Sequence, residues 1–263
     1  MPASSGWQPE AQESLDALLE KHSDTVASVL DSLANEPLLA SKPELYDAIW
    51  ALRFVLSFPS VDEACDKARR ALAYRAQYAP MLEACTDSGC VDYKNFGAMR
   101  RLFVSRVIEE ATLHDEPVSV VRVSQCNVKE LCDTWEDEEI FAFLQHNKEL
   151  AHLRADAATR RTRRLVKMVT ILDMKGISPL YFTAAGTRLW RIMQRSSKMD
   201  VYPQLLALTA VVNAPNWISA IWAVAKVWAP KKNLRKARML DMAEVRLMFP
   251  PSSAVPAFLA AGE

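Results

Sequence analysis

The chain has 263 residues, of which 50% are hydrophobic and 24% are charged, so it can bury a large core and is not a disordered chain. Its 32 Lys and Arg residues equal its 32 Asp and Glu residues; no global field favours nucleic acid, and any contact with an anionic surface has to be local. Five cysteines are too few for a disulfide scaffold, and the amino terminus lacks the pattern of a secretory signal, which together predict a cytoplasmic protein.

Apolar residues recur with helical spacing from Pro9 to about Ala111, and this pattern predicts a helical amino-terminal half. Pro43 is expected in the first turn of one helix, where its missing N–H group needs no partner. Ser60 and Glu63 form a capping-box pattern that predicts the start of the next helix.

The pattern changes near His114, and the β-branched stretch from Pro117 to Val123 predicts the first strand of a sheet. The elements expected after it are a helix at about Glu136–Ala158, a strand within Leu165–Met174, a helix at about Pro179–Ser196, a strand at Leu205–Val212, a helix at Trp217–Trp228 and a short strand at Ala237–Leu240. Their alternation predicts βαβ crossovers and a mostly parallel sheet covered on both faces. We therefore expect an α/β fold, with a helical lobe at residues 1–113 and an α/β lobe at residues 114–263.

One apolar run, from Leu205 to Trp228, is long enough to cross the roughly 30 Å of hydrocarbon in a bilayer. The sequence Asn213-Ala-Pro-Asn216 interrupts it with a proline and two amides. This break favours a strand, a turn and a helix over a membrane span.

The motifs of common enzymes are missing from the sequence. The six glycines fit neither a phosphate-binding Walker loop nor a dinucleotide fingerprint, and there is no G-x-S-x-G or H-E-x-x-H motif. We expect no catalytic residues and no cofactor. The cysteines lack the spacing of zinc knuckles and are interpreted as small core residues: Cys65, Cys85, Cys90, Cys126 and Cys132.

Two polar clusters are candidate binding sites. His146, Glu149 and His152 are spaced three apart on a predicted helix, which is a weak metal pattern, and we expect a solvated helix face and no metal there. The basic run Arg160–Lys167 lacks interleaved aromatic residues and lies at a predicted helix end, which favours compensation of the helix dipole over nucleic-acid binding. Contact of this run with phospholipid headgroups stays open as an alternative.

The predicted helix at Trp217–Trp228 carries three tryptophans, because Trp222 lies between its two ends. At about 100° per residue, one stripe of it consists of Trp217, Ile221, Val224 and Trp228. One interpretation is an ordinary crossover helix buried against the sheet. The other is a lid, one side of which closes an apolar pocket while its tryptophans enter the bilayer interface.

Three motifs occur in order along the second half: Val169–Ile177, Val201–Pro203 and Val211–Pro215. Together they resemble the CRAL-TRIO family of lipid-binding and lipid-transfer proteins. Leu52–Phe54 is similar to the family's helical amino-terminal lobe, and Val255–Phe258 is similar to its closing segment, so the resemblance covers most of the chain.

The resemblance implies a deep apolar pocket floored by the sheet and closed by a movable gate helix. The residues that it places against lipid are Thr170, Leu172, Thr209 and Val211, and those of the gate helix are Trp217, Ile221, Trp222, Val224 and Trp228. The headgroup positions that it implies are Gln204, Asn233 and Lys236. Gln204 stands where phosphatidylinositol binders have Glu, and Asn233 stands where they have Thr, whereas Lys236 matches. Thr170 is one of two polar positions typical of phosphatidylcholine binders.

The resemblance implies a function without catalysis: a monomer holds one phospholipid, of the phosphatidylinositol or phosphatidylcholine type, and exchanges it at a membrane surface that it contacts transiently. Such a protein would be cytoplasmic and peripheral at membranes, with no nucleic-acid partner. Two alternatives stay open. The cargo is another hydrophobic ligand, such as a tocopherol, retinoid or sterol, or the domain is a lipid-sensing regulatory module.

Overall fold

The computed structural model of the protein describes residues 13–85, 93–178, 183–217 and 235–250. The helices in these ranges are α1 (Leu15–Lys21), α2 (Ser23–Ser32), α3 (Pro37–Ser41), α4 (Ala48–Val55), α5 (Val61–Gln77), α6 (Ala79–Glu83), α7 (Phe96–Leu102), α8 (Val128–Thr134), α9 (Asp137–Thr162), α10 (Ala184–Lys198) and α11 (Met242–Arg246). The strands are β1 (Ser105–Ala111), β2 (Pro117–Arg122), β3 (Met168–Asp173), β4 (Leu206–Val212) and β5 (Ala237–Met239).

The strands form one sheet in the order β1-β2-β3-β4-β5, which is also their order along the chain. β1 pairs with β2 antiparallel, whereas β2, β3, β4 and β5 are parallel to one another. The chain crosses from β2 to β3 through α8 and α9, and from β3 to β4 through α10. The predicted α/β class, with a mostly parallel sheet flanked by helices, is confirmed.

The predicted helix that extends to Ala111 is wrong over its last turns, because Ser105–Ala111 forms β1. This edge strand depends on its pairing with β2, which a local helical period does not show. The boundary expected after residue 113 therefore falls between two paired strands, and the division into lobes there stays a prediction.

Of the two predicted helix starts, the one at Pro43 is wrong and the one at Ser60 is confirmed. The helix expected at Pro43 begins instead at Ala48, because the carboxylate of Asp47 accepts the N–H groups of Ile49 and Trp50 at 3.0 and 3.1 Å. α5 begins where the capping pattern predicted, since Ser60 Oγ accepts the N–H of Glu63. In both helices a side-chain acceptor satisfies backbone donors that the first turn leaves unpaired.

The 26-residue helix α9 lies between the amino-terminal helices and the sheet. Its Ile140, Phe141 and Phe143 are part of the core of the amino-terminal helices. Farther along, its Leu150 and Ala151 pack with Val107 of β1. α9 is therefore covered on opposite sides, and it fixes the position of the sheet relative to the helical part.

The opposite face of the sheet is filled by the segment after β5. Val245, Met248 and Phe249 are buried there against strand residues, which are Ile108, Val118, Val120, Val169, Ile171, Leu208, Ala210 and Val212. Within the described ranges, no helix is both long and apolar enough to cross a membrane.

Candidate functional site

Two rows of residues cross the parallel strands on the face of the sheet that α9 partly covers. Thr170 lies opposite Thr209, and Leu172 lies opposite Val211. We call these four residues the β3–β4 face. The rows continue onto the neighbouring strands through Ser119 and Ala237 beside the threonines, and through Val121 and Met239 beside the apolar pair.

Burial differs between the two sides of β3. Val169 and Ile171, which point to the filled side, are fully buried, whereas Thr170 and Leu172 are half-buried. On β4, Thr209 is half-buried and Val211 is buried. The β3–β4 face thus offers a row of small side chains next to a row of apolar ones, and three of its four residues are incompletely buried, which suits contact with hydrocarbon.

The structure brings together the four predicted lipid contacts, because all of them belong to the β3–β4 face. Trp217 follows the carboxyl end of β4 and is half-buried. The other predicted gate and headgroup positions in that segment, Ile221, Trp222, Val224, Trp228 and Asn233, lie outside the described residues.

Gln204 precedes β4 by two residues, and the Lys236 side chain reaches the first residue of the same strand. Lys236 Nζ donates to the carbonyl oxygen of Leu206 at 2.6 Å, and the Gln204 side-chain amide donates to the carbonyl oxygen of Leu56 at 2.9 Å. The amide of Gln204 therefore joins the sheet to the end of α4. Its predicted role in headgroup binding, like that of Lys236, stays a prediction.

A turn at the carboxyl ends of β3 and β4 directs the chain toward Trp217. Asn213 has a φ of 52°, a conformation that asparagine adopts more readily than most residues. Its side chain donates to Asp173 Oδ1 at 2.8 Å, and the same oxygen accepts the N–H of Lys175 at 3.0 Å. These bonds fix the start of the segment expected to form the gate helix.

Arg53 joins the helical part to the sheet, a role that sequence analysis missed. Its side chain is 1% exposed and donates to Thr159 Oγ1 at 3.0 Å and to the carbonyl oxygens of Val166 and Gln204 at 3.4 and 3.5 Å. Burial lowers the pKa of the guanidinium to about 10, so it stays charged at neutral pH. The sequence signal that could have indicated this role is the place of Arg53 in the Leu52-Arg-Phe54 motif.

The solvated face predicted for His146, Glu149 and His152 is wrong, since these residues are 0%, 2% and 9% exposed. α9 is covered on opposite sides, so its polar stripe is buried as well. Glu149 forms a bidentate ion pair with Arg75 at 3.0 and 2.9 Å. Burial alone would lower the pKa of Arg75, but the charge of Glu149 outweighs it and raises that pKa. Among the described residues no group of His, Cys, Asp or Glu is placed to hold a metal ion.

The basic run Arg160–Lys167, which begins in the last turn of α9, forms several ion pairs. Arg160 contacts Asp47 at 2.6 Å, and Arg161 and Arg164 both contact Asp115. Arg163 pairs with Asp16. These partners supply a local structural reason for the run.

The cysteines Cys85, Cys126 and Cys132 are buried and Cys65 is half-buried, while Cys90 lies outside the described residues.

Comparison with known proteins gives a match to a domain family and matches to solved structures. The sequence profile of the CRAL/TRIO domain matches residues 106–258. The fold is similar to that in the crystal structure of Sfh5, with a TM-score of 0.55 at 12% identity over 89% of this chain and 82% of that chain. A search of curated proteins found no match. The structural likeness shows the fold alone.

Proposed function

This chain belongs to the CRAL/TRIO family of lipid-binding and lipid-transfer proteins, and on that premise we propose that it carries one phospholipid, of the phosphatidylinositol or phosphatidylcholine type, and exchanges it at membranes. In this proposal the protein acts as a monomer, peripheral at cytoplasmic membrane surfaces. It performs no catalysis and needs no cofactor.

The observation that carries the proposal is the β3–β4 face. Its residues lie in two adjacent rows and are less filled than the opposite side of the same strands. A seven-residue strand such as β4 extends over roughly 20 Å, and one leaflet of a bilayer contains roughly 15 Å of hydrocarbon. The face is thus long enough to cover an acyl chain, and each buried methylene contributes about 0.8 kcal/mol to capture.

The headgroup is proposed to lie at the amino end of β4. Lys236 supplies the cation there, and Asn233 precedes it by three residues. The gate is proposed at the other end of β4, where Trp217 follows the fixed turn at Asn213. The acyl chain would then lie along β4 between them.

A second cargo class has a specific observation in its favour. The amide of Gln204 already donates to Leu56, so a headgroup would have to compete with an internal hydrogen bond. A ligand with little polar surface, such as a tocopherol, retinoid or sterol, would need no such contact.

The cargo test is native mass spectrometry of the purified protein, with lipid extraction to identify what it holds. Thr209→Trp should fill the space above the β3–β4 face and abolish co-purified lipid, because Thr209 lies in the row of small side chains. The matched control is Arg238→Trp, since Arg238 is exposed and lies beside Ala210, whose side chain points to the filled side. A folded Thr209→Trp protein that keeps its full lipid load would contradict the proposed pocket, and extraction of a tocopherol, retinoid or sterol in place of phospholipid would favour the second class.

The gate test is lipid transfer between vesicles. Trp217→Ala/Trp228→Ala should slow transfer roughly tenfold, because the interfacial preference of two tryptophans is lost. Cargo content and the thermal unfolding midpoint are measured on the same sample, and both should stay near the wild-type values. Unchanged transfer and vesicle binding would show that the gate is elsewhere.

A further inference from the structure

The helix α10 has a charge very different from that of the chain as a whole. It carries Arg188, Arg191, Arg195 and Lys198 and no acidic residue, although the complete chain is balanced at 32 cationic and 32 anionic residues. Arg188 pairs with Asp137 at 2.6 Å, and Arg195 pairs with Glu138. Within the described part of the chain, Arg191 and Lys198 have no carboxylate partner.

These two cations lie beside an open groove of about 500 Å³ between α10 and α5. The residues that line the groove are Lys67, Arg70, Arg191, Gln194, Arg195, Lys198 and Met199. Lys67 and Arg70 are paired, with Asp200 and Asp66. The groove therefore has five cations against three bound carboxylates, counting Glu138 on Arg195. An anionic ligand at its open side would be attracted chiefly by Arg191 and Lys198.

The same helix exposes apolar side chains next to these cations. Trp190 is 41% exposed and Met193 is 38% exposed, whereas Leu189 and Ile192 anchor the helix in the core. At about 100° per residue, Trp190 and Met193 lie on one side of the exposed arc, and the cations lie on the other. The two strips are nearest at Trp190 and Lys198, about 80° apart around the helix, so a surface laid there touches the near edge of both; Met193 and Arg191 lie farther to either side.

We propose that α10 docks the protein on membranes that contain anionic phospholipids, through a surface formed by Trp190, Arg191, Met193 and Lys198. In this arrangement Trp190 and Met193 enter the headgroup region, where amphipathic rings are favoured. Arg191 and Lys198 contact lipid phosphates at the level of the groove. A membrane fits this surface better than a protein partner does, because two apolar side chains are far fewer than a stable protein interface needs.

This docking surface shares no residue with the proposed gate or with the β3–β4 face. It would orient the protein during lipid exchange and so deepens the proposed function, but it does not depend on the cargo. Vesicle binding is scored apart from lipid transfer. A protein that binds vesicles yet transfers no lipid would contradict the proposed function and leave the α10 surface standing.

The test is flotation with vesicles of phosphatidylcholine, with and without phosphatidylserine. Binding should require phosphatidylserine and weaken as sodium chloride is raised. Arg191→Gln/Lys198→Gln should lower affinity on the order of 30-fold, since each cation near an anionic surface contributes about a fivefold factor. The matched control is Arg161→Gln/Arg164→Gln, which removes the same charge from residues already paired with Asp115.

A second variant tests the apolar strip. Trp190→Ala/Met193→Ala should lower vesicle affinity roughly tenfold and leave the salt dependence unchanged, because the cations remain. Its unfolding midpoint should match that of the wild type, as both side chains are substantially exposed. Wild-type binding by both α10 variants would overturn the proposal. So would an equal loss in the Arg161/Arg164 control, or capture of an acidic protein with no affinity for vesicles.

Discussion

At the scale of single residues, His152 is buried in α9 among positive charges. It is packed against Tyr202, with ring centroids 5.4 Å apart. Burial, followed by the charges of Arg75, Arg53 and Arg160, holds the pKa of His152 well below 6.5. A proton on this ring would face three guanidinium groups, so the folded protein keeps His152 neutral.

The first prediction concerns pH and His152. In the unfolded chain a histidine titrates near 6.5, so on acidification below that value the unfolded state binds a proton that the folded state refuses. The free energy of unfolding should therefore fall as pH falls, by up to about 1.4 kcal/mol per pH unit for this residue. His152→Gln should remove that slope. Urea unfolding of both proteins at about pH 7, 6 and 5 measures it.

Other buried groups titrate in the same window. Burial lowers the pKa of His146 to about 4, which adds a slope of the same sign. Burial raises the pKa of Glu116 to about 7, which gives a slope of opposite sign because the folded state then holds the extra proton. The comparison between wild type and His152→Gln isolates one residue from this sum. Parallel pH profiles for the two proteins would mean that His152 binds its proton over the same pH range in the folded and unfolded states, which would contradict the lowered pKa.

At the scale of elements, the crossover from β3 through α10 to β4 could be predicted because each of its parts carries a strong local pattern. Continuous apolar runs become the central strands, and the helical period between them becomes α10. β1 could not be predicted in this way. Its sequence, Ser-Arg-Val-Ile-Glu-Glu-Ala, has three charged residues, and its strand state depends on antiparallel pairing with β2.

The residues of the candidate site also differ in whether local sequence could predict them. The four residues of the β3–β4 face could be predicted because they lie in, or two positions before, ordered sequence motifs on two strands. Arg75 and Glu149 meet across 74 positions, and Gln204 reaches Leu56 across 148 positions. No local period contains such contacts, so the buried stripe of α9 was interpreted as solvated. Its period shows which residues share a face but not that a second layer covers that face.

At the scale of the whole molecule, Arg53 connects three parts that are distant in sequence: α4, the end of α9 and the approach to β4. Its acceptors are the Thr159 hydroxyl and the carbonyl oxygens of Val166 and Gln204. Thr159 in turn accepts the N–H of Val166 at 2.9 Å. The planar guanidinium reaches all three acceptors at once, which a lysine ammonium on a single stem does not do.

The last prediction follows from this connection. Arg53→Met fills a similar volume but leaves buried acceptors unpaired, so the free energy of unfolding should fall by roughly 3 kcal/mol. Arg53→Lys should recover less than half of that loss. Because Gln204 leads directly into β4, the loosened junction should also release co-purified lipid although Thr209 and Val211 are unchanged. Urea unfolding measures the loss of stability, and native mass spectrometry of the same samples measures the loss of lipid. An Arg53→Lys variant with wild-type stability would show that charge alone, and not the three-acceptor geometry, holds the junction.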